Sequence, residues 1–238
     1  MRTPTLLAVA HGTGDPDGLA SVRRLLTRVR TARPEIAVEL AWLERAEPTL
    51  PFALAGLIGP VVLVPLLLST GYHVKVDITA AVVDRPETAV ARQLGPDDRI
   101  VRVLAERLAA ARRAAGEEGR LVEDRDECQV VLFGAGSTDP EAGEQLAAAA
   151  DGLQQRIGMR VHWRSLGQRE AWGDGLPEDI EVANYLLAPG HFNDLLHQRG
   201  QQLGSAVVAA PLGEHPLLAE LVWDRYDEAV AKLTSAVG

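Results

Sequence analysis

Short apolar, β-branched runs alternate with longer Ala/Leu/Arg-rich stretches of helical period along most of the chain. The pattern predicts strands over Thr5–Ala10, Ala37–Leu43 and Val61–Leu68, and helices over Gly18–Ala32, Val74–Leu94 and Val103–Ala115. Continuously apolar strands separated by helices imply a parallel sheet covered on both faces. A charged, glycine-containing stretch, GEEGRLVEDRDE at residues 116–127, interrupts the alternation, which then starts again. Strands are expected at Gln129–Phe133, Met159–Trp163, Val182–Ala188 and Ala206–Ala210, with helices near Pro140–Ile157, Phe192–Gly200 and Pro216–Val237. The predicted fold class is therefore α/β, with one domain at 1–120 and a second at 127–238, each a mainly parallel sheet flanked by helices.

The two halves can be laid over each other. AHGTGDP (10–16) lies on GAGSTDP (134–140), LAWLE (40–44) on VHWRS (161–165), and LLLSTGYH (66–73) on YLLAPGHF (185–192). The landmark spacings change only as loop lengths would in a duplicated unit. This overlay pairs Trp42 with Trp163, and both read as core residues. It also pairs His11 with Ala135, Glu44 with Ser165 and His73 with Phe192. The ionisable residues at the strand ends of the first half are all lost from the second, the pattern of one working site and one degenerate copy.

Ligands of a parallel α/β sheet bind beyond the carboxyl ends of its strands. His11 ends the first predicted strand, Glu44 ends the second, and His73 follows the third, so the three can converge. Two imidazoles and a carboxylate suit a borderline divalent ion such as Fe²⁺, Co²⁺, Ni²⁺ or Zn²⁺. Ser69, Thr70 and Gly71 form a polar lip ahead of Tyr72 and His73, where a planar ligand can rest. GTGDPDG (12–18) has the wrong glycine spacing for a dinucleotide loop, and Pro16 removes a backbone donor. Asp15–Pro16 instead marks a helix entry. No Walker lysine pattern and no G-x-S-x-G elbow occurs. Of the other histidines, His162 reads as structural or surface, His197 as an exposed helix residue, and His215 as part of a helix N-terminus. His191 occupies the position matching Tyr72.

Composition narrows the setting. In 238 residues, 47% hydrophobic and 24% charged is the mixture of a soluble globular protein. The longest apolar run, Pro60–Leu68, falls well short of the roughly 20 residues a membrane span needs, and no secretory layout opens the chain, so a cytoplasmic protein is expected. The single cysteine, Cys128, excludes a disulfide framework. A net charge of −9 disfavours nucleic acid and anionic membrane as partners, and requires a locally basic rim for any anionic substrate. Arg45 and Lys75 lie next to the histidine motifs and can supply that rim. A monomer is expected.

The stretches AHGTGDP, ELAWLERAEPTLP and VPLLLSTGYHVKVDI, together with YLLAPGHF and APLGEHP, resemble the class II sirohydrochlorin chelatases in their long, two-domain form. The resemblance implies two chelatase-like (Rossmann-like) domains with the site in the cleft between them, and ATP-independent insertion of Fe²⁺ or Co²⁺ into sirohydrochlorin, toward sirohaem or cobalamin, with no organic cofactor. Carried over, it implies His11 and His73 as metal-handling residues and Glu44 as the assisting carboxylate, with Glu47 as the alternative. Substrate contacts are expected from Thr13, Ser69, Thr70, Gly71, Tyr72, Lys75 and His191. Thr13 and Gly14 depart from the serine and basic residue usual after the first His-Gly of the family. A metallochaperone or tetrapyrrole-binding protein without turnover uses the same ligands. A nucleotide- or sugar-binding α/β module is the other open reading.

Overall fold

Each half of the sequence builds one parallel sheet, and each sheet takes its last helix from the other half. The computed structural model describes residues 2–71, 73–116, 129–137, 139–167, 180–202, 205 and 207–235, without the side chains of residues 73–75, 234 and 235. The first half contains β1 (Thr5–Ala10), α1 (Pro16–Ala32), β2 (Val38–Trp42), α2 (Leu50–Ala55) and β3 (Val61–Pro65). A π-helical turn, His73–Ile78, runs on into α3 (Thr79–Val82), followed by β4 (Thr88–Val90) and α4 (Asp98–Ala115). The second half contains β5 (Gln129–Gly134), α5 (Pro140–Ile157), β6 (Val161–Ser165), β7 (Ile180–Tyr185), α6 (His191–Gln202) and α7 (Pro216–Ser235).

The sheets have orders β2-β1-β3-β4 and β6-β5-β7, with every pairing parallel. Val208 bridges Val182 of β7 in parallel, in the position that β4 holds beside β3. Both sheets are thus variants of one arrangement, as the internal repeat predicts. On one face of the first sheet, Leu7, Val9, Ala41, Val61 and Leu63 pack with Leu50 and Leu54 of α2 and with Ile78. Each such buried aliphatic side chain contributes about 1.5–3 kcal/mol relative to exposure.

The division into compact units differs from the predicted 1–120 and 127–238. One unit comprises residues 1–95 and 214–238, the other 96–213. Helix α4 packs on α5 and β7 of the second unit, while α7 packs on α1, β3 and β4 of the first. The charged 116–127 stretch marks the end of α4 in sequence, but the structural crossings fall at 95/96 and 213/214. The physical reason is that an amphipathic helix of 18 or 20 residues needs an apolar sheet face, and the sequence pattern does not say which sheet supplies it.

Polar contacts make α7 integral to the first unit. Trp223 Nε1 donates to Val29 O at 3.1 Å, Tyr226 Oη to Pro4 O at 2.6 Å, and Arg33 grips Asp227 with two bonds of 2.7 Å. Arg225, 1% exposed, donates from Nε to Gln93 O (3.0 Å) and from Nη2 to Leu94 O (2.9 Å). In the second unit Arg107 of α4 donates to Leu212 O at 2.8 Å. The two crossing segments are therefore each held by an arginine from the helix that entered that unit. Within the second unit, Arg112 of α4 also pairs with the buried Glu181 of β7.

Three local expectations change. The single helix expected at Val74–Leu94 is a π-turn, a four-residue helix and then β4. Pro86 disfavours helix just before it, and three residues are too few for a strand to show its period. Helix α2 is too short for a helical period to show. Of the expected strand Ala206–Ala210, only Val208 pairs with a strand as a bridge among the described residues.

The register also corrects the overlay. Ala10 pairs with Trp42, and Gly134 pairs with Ser165, so Trp42 corresponds to Ser165 rather than to Trp163. Trp42 is 1% exposed, whereas Trp163 is 36% exposed and is not a core residue.

Replacing Arg225 by methionine strands two buried carbonyls and is expected to lower stability by about 3 kcal/mol, read as a shifted urea midpoint. Residues 1–120 alone lack α7, and are expected to show no cooperative thermal transition. Residues 1–95 joined to 214–238 by a flexible linker are expected to show one by calorimetry.

Candidate active site

Beyond the end of the strands, the β1–β2 ladder continues for two more bonds. Leu43 N donates to Ala10 O and Glu44 N to His11 O, both at 3.0 Å. This continuation seats His11 and Glu44 side by side at the carboxyl edge of the sheet. Gly12 makes it possible: its φ is +98°, and an added Cβ would lie 1.8 Å from the Glu44 carbonyl oxygen. His11 Nδ1 is 3.4 Å from Glu44 Oε1 and 3.3 Å from Gly12 O. A carbonyl can only accept, so the contact with Gly12 O requires the proton on Nδ1. The imidazole and the carboxylate are 47% and 42% exposed, accessible to a ligand.

Glu44 Oε1 also accepts from Arg45 Nε at 3.1 Å. Arg45 holds a left-handed backbone, φ 60°, which costs a residue with a Cβ roughly 1–2 kcal/mol. Glu47 has a different task. Its Oε2 accepts from Thr49 N at 2.9 Å, at the start of α2, so Glu44 is the carboxylate brought to His11.

Thr13 Oγ1 accepts from Asp15 N (3.1 Å), and Asp15 caps α1 through Asp17 N (2.9 Å). Ser137, Asp139 and Glu141 repeat this entry in the second unit, with both bonds at 3.1 Å. Thr13 therefore has a structural duty shared by both copies. Ser69 and Gly71 are half-buried and Thr70 is only 8% exposed, so Thr70 turns inward and the predicted polar lip is narrower than expected. His73 opens the π-helical turn, and its side chain, that of Lys75, and Tyr72 lie outside the described residues. Among the described residues no group of three or more His, Cys, Asp or Glu is placed to hold a metal.

His191 is the exposed first residue of α6, its ring centroid 5.7 Å from that of Phe192. His215 caps α7, with Nδ1 accepting from Leu217 N at 3.3 Å. His197 lies half-buried on α6. His162 on β6 bonds Gln129 Oε1, and burial, with Arg164 and Arg160 nearby, holds its imidazole below the ordinary 6.5. In the second unit the extended ladder runs from Gly167 N to Ala135 O, so Glu44 corresponds to Gly167 rather than to Ser165. The second unit still lacks a carboxylate at that position.

A parallel α/β unit with histidine and carboxylate at its strand ends is the class that fold and site define. Residues 5–111 match the CbiX family model. A sirohydrochlorin cobaltochelatase of Methanosarcina acetivorans is 30% identical over 77 residues, 31% of this chain and 59% of that protein. SirB from Bacillus subtilis with Fe³⁺ aligns over 98% of both chains with TM-score 0.77 and 22% identity. CbiX, described as the terminal enzyme for siroheme biosynthesis in denitrifying bacteria, aligns over 94% of this chain and 99% of its own, with TM-score 0.70 and 18% identity. The two structures share the fold. The match to the CbiX family model thus takes in a little under half of the chain, and the chain spans less than two thirds of the length of the cobaltochelatase it resembles.

Gly12→Ala is expected to cost at least about 2 kcal/mol and to shift the His11 imidazole signals in ¹⁵N NMR, while Gly14→Ala, with nothing within 4 Å of the added carbon, leaves both unchanged. Because His162 takes its proton less readily folded than unfolded, its contribution to stability is lost as pH falls below about 6.5. The melting temperature of the wild type should therefore drop more than that of His162→Gln between about pH 7.5 and about pH 5.

Proposed function

We propose that this protein is an ATP-independent chelatase that inserts a divalent ion, Fe²⁺ in preference or Co²⁺, into sirohydrochlorin in sirohaem or cobalamin biosynthesis. The observation that carries the reading is the seating of His11 against Glu44 at the strand ends of the segment that matches the CbiX family. The metal is a substrate that passes through the site.

Metalation removes two N–H protons from the macrocycle as the dication enters, so the site must deliver an ion and accept protons. His11, with Nδ1 turned to Glu44 and Gly12 O, holds the ion through Nε2, and His73 supplies the second imidazole. Glu44 fixes the His11 ring and takes one of the two protons, and the other passes to water. Two imidazoles leave coordination positions open for the pyrrole nitrogens. His191 is a further candidate for contact with the macrocycle. The protein works as a monomer in the cytoplasm, without nucleic acid or membrane. None of the described helices is long and apolar enough to cross a membrane.

An anaerobic assay with sirohydrochlorin and Fe²⁺, Co²⁺ or Ni²⁺ in turn tests the proposal by the change in the macrocycle's absorption spectrum. Turnover beyond one equivalent of protein is expected, whereas a metallochaperone stops at one. His11→Ala and His73→Ala are expected to lose at least about a hundredfold in rate, while His197→Ala keeps the wild-type rate.

A further inference from the structure

One oxygen of Glu44 serves two neighbours. Oε1 lies 3.4 Å from His11 Nδ1 and accepts from Arg45 Nε at 3.1 Å. Arg45 is 69% exposed at its side chain, and among the described residues its Nη groups have no hydrogen-bond partner. The contact is thus a one-point, solvent-exposed ion pair, the kind that exchanges readily for a better one. A guanidinium makes its strongest carboxylate contact through two parallel N–H bonds, which Arg45 does not make with Glu44. In a chain of net charge −9, an arginine beside the candidate site is also a local attractor for an anionic ligand.

We propose that Arg45 is a substrate-operated latch on Glu44. In the free protein its guanidinium occupies the carboxylate. A peripheral carboxylate of the incoming tetrapyrrole offers a two-point contact and draws the guanidinium away, releasing Glu44 to His11 and the ion. The inference rests on the chelatase reading and adds an order of events to it. An enzyme that delivers a metal must not trap it, and a carboxylate neutralised until the acceptor arrives keeps metal affinity low in the empty site. Arg45 is on this account a positioning residue, acting on the metal through Glu44.

The test measures two affinities on the full chain, neither of which depends on turnover. Calorimetry reports Co²⁺ binding in the absence of any macrocycle, and fluorescence reports binding of metal-free uroporphyrin, a carboxylate-rich tetrapyrrole. Arg45→Gln is expected to bind Co²⁺ about tenfold more tightly and uroporphyrin about tenfold more weakly than wild type. Opposite signs are the signature, because a merely structural role moves both affinities the same way. Arg45→Gly removes the guanidinium while relaxing the left-handed backbone, and should match Arg45→Gln. Arg45→Lys, a point charge without the fork, should fall between them and wild type. Unchanged Co²⁺ affinity in Arg45→Gln, or wild-type behaviour in Arg45→Gly, overturns the latch. Failure of the wild type to metalate sirohydrochlorin would instead count against the chelatase reading, and these two affinities would still decide the role of Arg45.

Discussion

A parallel sheet must be covered on both faces, and this chain meets that requirement by exchanging helices between its halves. Helix α7 closes the first sheet and α4 the second, so neither half of the sequence carries the whole of its own core. The exchange is fastened by charge as well as by apolar packing. The buried guanidinium of Arg225 is taken up by the carbonyls of Gln93 and Leu94, and Arg107 bonds the carbonyl of Leu212. A buried charge without such partners is costly, and removing either set would leave the other unsatisfied. The stability of one unit is thereby tied to chain that follows the other.

The candidate site depends on the same sheet. His11 and Glu44 belong to different connections, yet two backbone bonds past the strand ends bring them into register. Gly12 permits this approach, and the ring and carboxylate then lie side by side. The second unit repeats the fold of this corner and its helix entry, down to the hydroxyl and carboxylate that cap α5. It repeats neither ionisable residue, with Ala135 and Gly167 standing where His11 and Glu44 stand. Packing and capping are what both copies need, and they are what both copies have kept.

The sequence by itself determined the α/β class, the parallel strands and the duplication, and it marked His11 and Glu44 as candidates at the strand ends. Continuous apolar runs report burial on both faces locally, and Asp15–Pro16 and Asp139–Pro140 announce their helices through their own capping chemistry. His11 and Glu44 were legible because strand ends are where a parallel sheet places its ligands. Tertiary structure alone decided which sheet each terminal helix covers, since amphipathic period shows that a helix has an apolar face and not which sheet receives it. It also decided the register that separates Trp42 from Trp163 and moves the counterpart of Glu44 from Ser165 to Gly167. A shift of two residues keeps every side chain on the same face of a strand, so the hydrophobic pattern cannot detect it, and only the hydrogen-bonded partners across the sheet fix the answer.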